Sequence, residues 1–140
     1  MIGVVLVTHC RLAQEFVDTA KLIVGELPQV EAVCLAPTAG TEAARADIER
    51  AIERVDEGSG VLILTDMFGG TPSNLCLSFL GNDKREVLTG VNLPMLLKLG
   101  VSRQGMSLKE AARFIKEYGQ KNISLASEIL TRRVEKGKEP

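Results

Sequence analysis

Val61-Leu62-Ile63-Leu64-Thr65-Asp66-Met67-Phe68-Gly69-Gly70-Thr71-Pro72-Ser73-Asn74 is the stretch on which the reading of this chain turns. Its first five residues form a short apolar run, the pattern of a strand buried on both faces. An acidic residue, two glycines and a proline follow; they end the strand and open a helix. A strand covered on both faces belongs to a parallel sheet with helices on either side. In such sheets chemistry gathers at the carboxyl ends of the strands. Asp66 stands at one of these ends.

Working outward, the N-terminal run Ile2-Gly3-Val4-Val5-Leu6-Val7 is a second buried strand and ends in Thr8-His9-Cys10. Ala13, Phe16, Val17, Ala20, Val24 and Leu27 then recur at helical spacing, and Val30–Leu35 reads as a strand closed by Pro37 and Gly40. Thr41 is placed to cap a helix with the apolar face Ala44, Ile48, Ala51, Ile52 and Val55. Beyond Asn74, Leu75, Cys76, Phe79 and Leu80 give a short apolar face, and Glu86–Thr89 is a weaker fourth strand. Gly90-Val91-Asn92-Leu93-Pro94 leads into a helix through Leu99, and Ser107-x-x-Glu110 is a capping box for another. In the tail, Ile123, Leu125 and Ile129 fit a period of two, while Ile123, Ala126, Leu130 and Val134 fit a helix. Residues 132–140 are polar, with the composition of a frayed end.

Four strands alternating with helices predict an α/β fold: an open, mainly parallel four-stranded sheet with helices on both faces. With the first strand central and the third beside it, the order is 2-1-3-4. The crevice between those two strands is then the switch point, where His9 and Asp66 meet.

Composition narrows the function. The chain has 140 residues, 45% hydrophobic and 25% charged, enough for one domain with its own core. A formal net charge of −1 supplies no basic field for nucleic acid. No apolar run approaches the roughly 20 residues of a membrane span, and Ile2–Val7 is too short for a signal-peptide core. A cytoplasmic protein is expected. The three cysteines, Cys10, Cys34 and Cys76, have neither disulfide-framework nor zinc spacing. Cys34 and Cys76 read as small core residues. Cys10 adjoins His9, but no second soft ligand lies close in sequence, so no metal and no cofactor are expected.

His9 is the only histidine. A neutral imidazole is a nucleophile, and a carboxylate on one ring nitrogen leaves the lone pair of the other exposed. Asp66 is the candidate for that orienting role. Gly69-Gly70-Thr71-Pro72 joins permissive backbone to a helix start, so that free N–H groups can meet an anion, with hydroxyls from Thr71 and Ser73. The P-loop lysine pattern is absent, and no nucleotide site is indicated. Each residue also has a plainer reading. Asp66 can cap a loop, the glycines can serve a tight turn, Asn92 can close an Asx-turn, and Pro94 can start a helix. Met67, Phe68 and Met95 fit either core or an apolar docking collar, with core favoured for Phe68.

Three segments together resemble the IIA component of the mannose family of bacterial sugar phosphotransferase systems. They are Val7-Thr8-His9, Asp66–Asn74 and Gly90-Val91-Asn92-Leu93-Pro94-Met95-Leu96, in order and with spacing that covers roughly residues 1–130. Residues 131–140 are then a polar tail. The resemblance implies a phosphotransferase with a phosphohistidine intermediate. His9 takes a phosphoryl group from HPr on Nε2, with Asp66 on Nδ1, and hands it to a IIB component serving the membrane IIC and IID proteins. Gly69, Gly70, Thr71 and Ser73 would hold the phosphate; Thr8, Cys10, Met67, Phe68, Asn92, Pro94 and Met95 would shape the site or dock partners. The resemblance also implies a homodimer with an exchanged antiparallel C-terminal strand, for which Ile123–Ala126 is the candidate, and peripheral contact with the membrane through the permease.

Two departures stand out. Members of the family commonly carry glycine where this chain has Cys10, and some carry a fused IIB domain beyond the point where this sequence stops. Two other functions compete: a regulatory module read by its phosphorylation state, and the phosphocarrier domain of a dihydroxyacetone kinase system. A receiver-like reading, with Asp66 itself phosphorylated, lacks the acidic cluster that would hold magnesium.

Overall fold

In the computed structural model, which describes residues 1–38 and 40–138, the first eight of ten elements alternate between strand and helix as expected, and two further helices follow. They are β1 (Gly3–His9), α1 (Leu12–Val24), β2 (Val30–Leu35), α2 (Thr41–Val55), β3 (Val61–Thr65), α3 (Thr71–Leu77), β4 (Arg85–Thr89), α4 (Leu93–Ser102), α5 (Leu108–Lys121) and α6 (Ala126–Lys138). The sheet is entirely parallel and its order is β2-β1-β3-β4. The central pair β1 and β3 is buried from Val4 to Thr8 and from Val61 to Thr65, as their continuous apolar runs require.

Alternation along the strands builds two cores. Val4, Leu6, Leu62 and Leu64 face Ala13, Val17 and Ala20 of α1, Leu96 and Leu99 of α4, and Ala111 and Ile115 of α5. Val5, Val7, Val61 and Ile63 face Ile48, Ala51 and Ile52 of α2, and Leu75 and Cys76 of α3. Truncating one of these aliphatic side chains to alanine costs about 2–5 kcal/mol. The sheet's carboxyl end therefore rests on packing from both sides.

Several sequence expectations are corrected. Thr41 does not cap α2; the cap position is Gly40, in extended backbone, and no side chain closes it. Cys34 is exposed: it shares a face with Val30 and Ala32, which pack on the first core, but it lies near the carboxyl end of β2, an edge strand. The exchanged-strand candidate Ile123–Ala126 is not a strand within this chain. Residues 123–125 are irregular, and Ala126 begins α6, whose entry is marked by Glu128 and Ile129 N–H donating to Leu125 C=O. Within a single chain a helix satisfies its own backbone, whereas a strand needs a neighbour. Residues 131–138 of the expected polar tail are likewise helical; residues 139–140 lie outside the described residues.

One buried group escaped the sequence reading. Arg103, only 1% exposed, follows α4 and donates from Nε to Ile2 C=O and from Nη1 to Leu99 C=O, each at 3.0 Å, and from Nη2 to Pro28 C=O. It thereby ties the chain just before β1 and just before β2 to the end of α4. Burial lowers its pKa from the ordinary arginine value. Each such bond left unmade to a buried carbonyl would cost about 1–3 kcal/mol.

The thiols give a direct test of the packing. Cys10 and Cys34 are exposed and Cys76 is buried, where burial, reinforced by the charge of Asp66, pushes the thiol up to about 12. In native protein at mildly alkaline pH, a disulfide reagent is expected to titrate Cys10 and Cys34 quickly and Cys76 only on unfolding. The raised native pKa also means that stability falls as pH climbs from the ordinary thiol value of ~8.5. Fast native labelling of Cys76 would contradict this packing.

Candidate functional site

His9 and Asp66 meet because of strand register. Val7 of β1 pairs with Thr65 of β3, so the two chains emerge side by side at the carboxyl edge. His9 Nδ1 lies 2.7 Å from Asp66 Oδ2, and the His9 backbone N–H donates to the same oxygen at 3.1 Å. An ionised carboxylate can only accept, so Nδ1 carries the proton and Nε2 keeps its lone pair when the ring is neutral. Asp66 Oδ1 accepts the Met67 N–H at 3.1 Å, which fixes the carboxylate plane. The His9 side chain is 48% exposed, while that of Asp66 is 13% exposed. A reachable nucleophile thus stands on a sheltered support.

Burial alone would push the Asp66 pKa up. Hydrogen bonds from the His9 ring and from the His9 N–H, with the attraction of the ring, outweigh it and hold the carboxyl below its usual range.

The glycine-rich loop closes over the other edge of the ring. A β-carbon on Gly70 would lie 2.7 Å from His9 Cε1 and 3.1 Å from Nε2, so only glycine lets the backbone approach this closely. Gly69 adopts φ +93°, which glycine takes without strain. The Thr71 and Ser73 N–H groups precede the first hydrogen bond of α3, from Asn74 N–H to Gly70 C=O. The hydroxyl of Ser73 departs from expectation. Ser73 is fully buried; its Oγ accepts the Gly69 N–H at 2.9 Å and donates to Gly70 C=O at 3.1 Å. Neither that hydroxyl nor the Gly69 N–H is free to meet an anion.

The remaining expected residues divide clearly. Thr8 is buried, and its Oγ1 accepts the Ala13 N–H at 2.7 Å, capping α1 in place of Arg11, which makes no side-chain cap. The only advance signal for this role was a threonine five residues ahead of an apolar helix face. Cys10 is exposed at φ +50°, a left-handed conformation that glycine adopts freely and that costs a β-carbon residue about 1–2 kcal/mol. Its N–H donates to Leu35 C=O. Met67 and Phe68 are 55% and 70% exposed, so the core reading of Phe68 is overturned: the loop carries it outward, beyond the helices that cover β3. Met95, by contrast, is core.

Asn92 caps α4 by accepting the Met95 N–H, and its Nδ2 donates to Gly119 C=O of α5 at 3.0 Å. Pro94 lies in the first turn of α4. Asn92 and Met95 line a hollow of about 220 Å³ with Lys116, Gly119 and Ile123, whose lining does not include His9 or Asp66. The third motif therefore braces the α4–α5 pair. Among the described residues, no three His, Cys, Asp or Glu side chains cluster as metal ligands would.

The lowered Asp66 pKa fixes a direction for stability. The native state binds fewer protons, so this contribution is complete above the unfolded value of ~3.9 and is lost as pH falls through the lower native value. Asp66→Asn is expected to be less stable than wild type by about 1.5–3 kcal/mol at neutral pH in urea unfolding. The gap should close below about pH 4; a gap that widens with acid would refute the assignment.

Residues 3–116 match the EIIA-man family, described as the PTS system fructose IIA component. The chain is 31% identical over 131 residues to the PTS system fructose-specific EIIA component of Bacillus subtilis (strain 168), covering 93% of this chain and 90% of that one. It is 30% identical over 129 residues to the PTS system sorbose-specific EIIA component of Lacticaseibacillus casei, covering 91% and 93%. The crystal structure of phosphotransferase system component EIIA from Streptococcus agalactiae superposes with a TM-score of 0.82 at 26% identity, over 91% of this chain and 99% of that one. With the His9–Asp66 pair at the carboxyl edge of a 2-1-3-4 sheet, this chain belongs to the EIIA-man family of phosphotransferase-system IIA components.

Proposed function

We propose that this EIIA component is a phosphohistidine carrier in sugar uptake, with His9 Nε2 as the phosphoryl-accepting atom. One observation carries the reading: Asp66 occupies Nδ1, leaving Nε2 as the exposed nucleophile beneath the backbone of Gly70. The donor is the phosphohistidine of HPr. As its P–N bond breaks, a P–N bond to His9 Nε2 forms, and the HPr imidazole leaves with the electron pair. Positive charge develops on the His9 ring, and Asp66 stabilises it through Nδ1–H. The N–H groups of Gly70 and Thr71 are suited to the phosphoryl oxygens, with the Thr71 hydroxyl beside them. A second transfer, to a IIB component, reverses these steps and feeds the IIC and IID membrane proteins.

Protein partners need a surface as well as a nucleophile. Leu12, Met67 and Phe68 are exposed on the segments that follow β1 and β3, and apolar side chains of this kind suit a transient docking face. Among the described residues, no helix is long and apolar enough to cross a membrane, so membrane proximity would come through the permease. Homodimer formation belongs to the same reading. The exposed apolar residues Ile123, Leu125, Leu130 and Val134 then mark the C-terminal segment as the part that changes environment on pairing.

The test is incubation with phosphoenolpyruvate, enzyme I and HPr, followed by intact mass and acid lability. Wild type is expected to gain one acid-labile phosphoryl group and His9→Ala none. Labelling of His9→Ala at the wild-type rate would refute the assignment. Discharge of the purified phosphoprotein onto a IIB component separates transport from a purely regulatory role. Gly70→Ala is expected to fold yet accept phosphoryl at least about tenfold more slowly, because its methyl group displaces the His9 ring or the loop. A wild-type rate would remove the need for close approach.

A further inference from the structure

Ser73 is the one polar side chain of the loop that is fully buried, and both of its bonds go to the backbone that covers the His9 ring. We propose that Ser73 is a positioning residue: its hydroxyl clamps the Phe68–Gly69 and Gly70–Thr71 peptides, on either side of the Gly69–Gly70 peptide, so that donors, not carbonyls, face the phosphoryl group on His9. The inference rests on the phosphocarrier reading above and replaces the expectation that Ser73 touches phosphate.

In a trans peptide the C=O and the following N–H lie in one plane and point in opposite directions. Gly70 C=O is drawn toward α3 by two donors, Ser73 Oγ–H at 3.1 Å and Asn74 N–H at 3.0 Å. The Thr71 N–H in the same plane must then point away from the helix, out of its N-terminal end. The Phe68–Gly69 peptide is held through the Gly69 N–H, which donates to Ser73 Oγ at 2.9 Å, so the Gly69–Gly70 peptide runs between two held planes.

Glycine imposes little torsional preference of its own, so two adjacent glycines would otherwise leave these planes free to rotate. A rotation about Gly70 would turn its carbonyl oxygen toward an incoming anion. The same glycine is where a β-carbon would strike Nε2 and Cε1 of His9, so the clamped backbone passes the nucleophile with no room for a methyl group between them. Glycine lets the loop approach, and Ser73 gives it an orientation.

The test combines Ser73→Ala kinetics with amide hydrogen exchange on unphosphorylated protein. Ser73→Ala is expected to lower kcat for phosphoryl acceptance at least about tenfold, with KM for phospho-HPr unchanged, since the exposed docking residues are untouched. In the same variant without phosphate, the Gly69 N–H is expected to exchange more than about tenfold faster. A slower kcat with unchanged Gly69 exchange would overturn the clamp and make Ser73 a phosphate ligand. An unchanged kcat would overturn the positioning role alone. Absence of label on wild type would overturn the carrier reading and this role with it.

Wild type decides the matter even if Ser73→Ala folds poorly. The Gly69 N–H should be protected before phosphorylation and no more protected afterwards, while the Thr71 N–H gains protection on phosphorylation. An unprotected Gly69 N–H in the free protein would refute the proposal.

Discussion

A single carboxylate oxygen holds the functional edge of this protein together. Asp66 Oδ2 accepts both the ring Nδ1–H and the backbone N–H of His9, joining the ends of two neighbouring parallel strands. The bridge exists only because β1 and β3 pair in a register that matches Val7 with Thr65. A one-residue slip would reverse every side chain of β3 between the two cores, and the packing of Leu62 and Leu64 against one set of helices forbids it. The nucleophile's orientation is therefore set by aliphatic packing deeper in the sheet.

Around that bridge, two buried hydroxyls and one half-buried amide brace backbone. Thr8 caps α1, Ser73 holds the glycine loop, and Asn92 caps α4 while reaching α5. Arg103 does similar work before β1 and β2, where it gathers the carbonyls of Ile2 and Pro28. Burying a polar group is costly unless it is bonded, and these four make their bonds to backbone that apolar packing leaves unconstrained. Orientation of the loops is their contribution; the apolar cores supply the bulk of the stability.

The exposed part of the site has the opposite character. Met67 and Phe68 are large and apolar, yet they stand in solvent beside a half-exposed imidazole. Exposed apolar area of this kind marks a surface suited to contact with other proteins. The left-handed Cys10 belongs to this rim as well. The turn out of β1 demands a conformation natural to glycine, and the chain bears the strain of a β-carbon there.

The strand–helix alternation, the buried central strands and the positions of His9 and Asp66 at two strand ends were all legible in the sequence. Apolar runs and glycine–proline punctuation are local signals, and they need no knowledge of neighbours. His9 and Asp66 were legible because each stands where such a run stops. Tertiary structure alone decided which hydroxyls would be free. Ser73 and Thr71 look equivalent in sequence, but helix geometry turns Ser73 inward to the loop backbone. It also decided that Phe68 faces solvent while Met95 enters the core, that Cys34 near the end of an edge strand is exposed, and that Arg103 is buried. At the C-terminus, periods of two and of 3.6 were both present, and the chain on its own resolves them as α6. These outcomes share one cause: burial and hydrogen-bond partners depend on residues far away in the chain, which a local pattern cannot name.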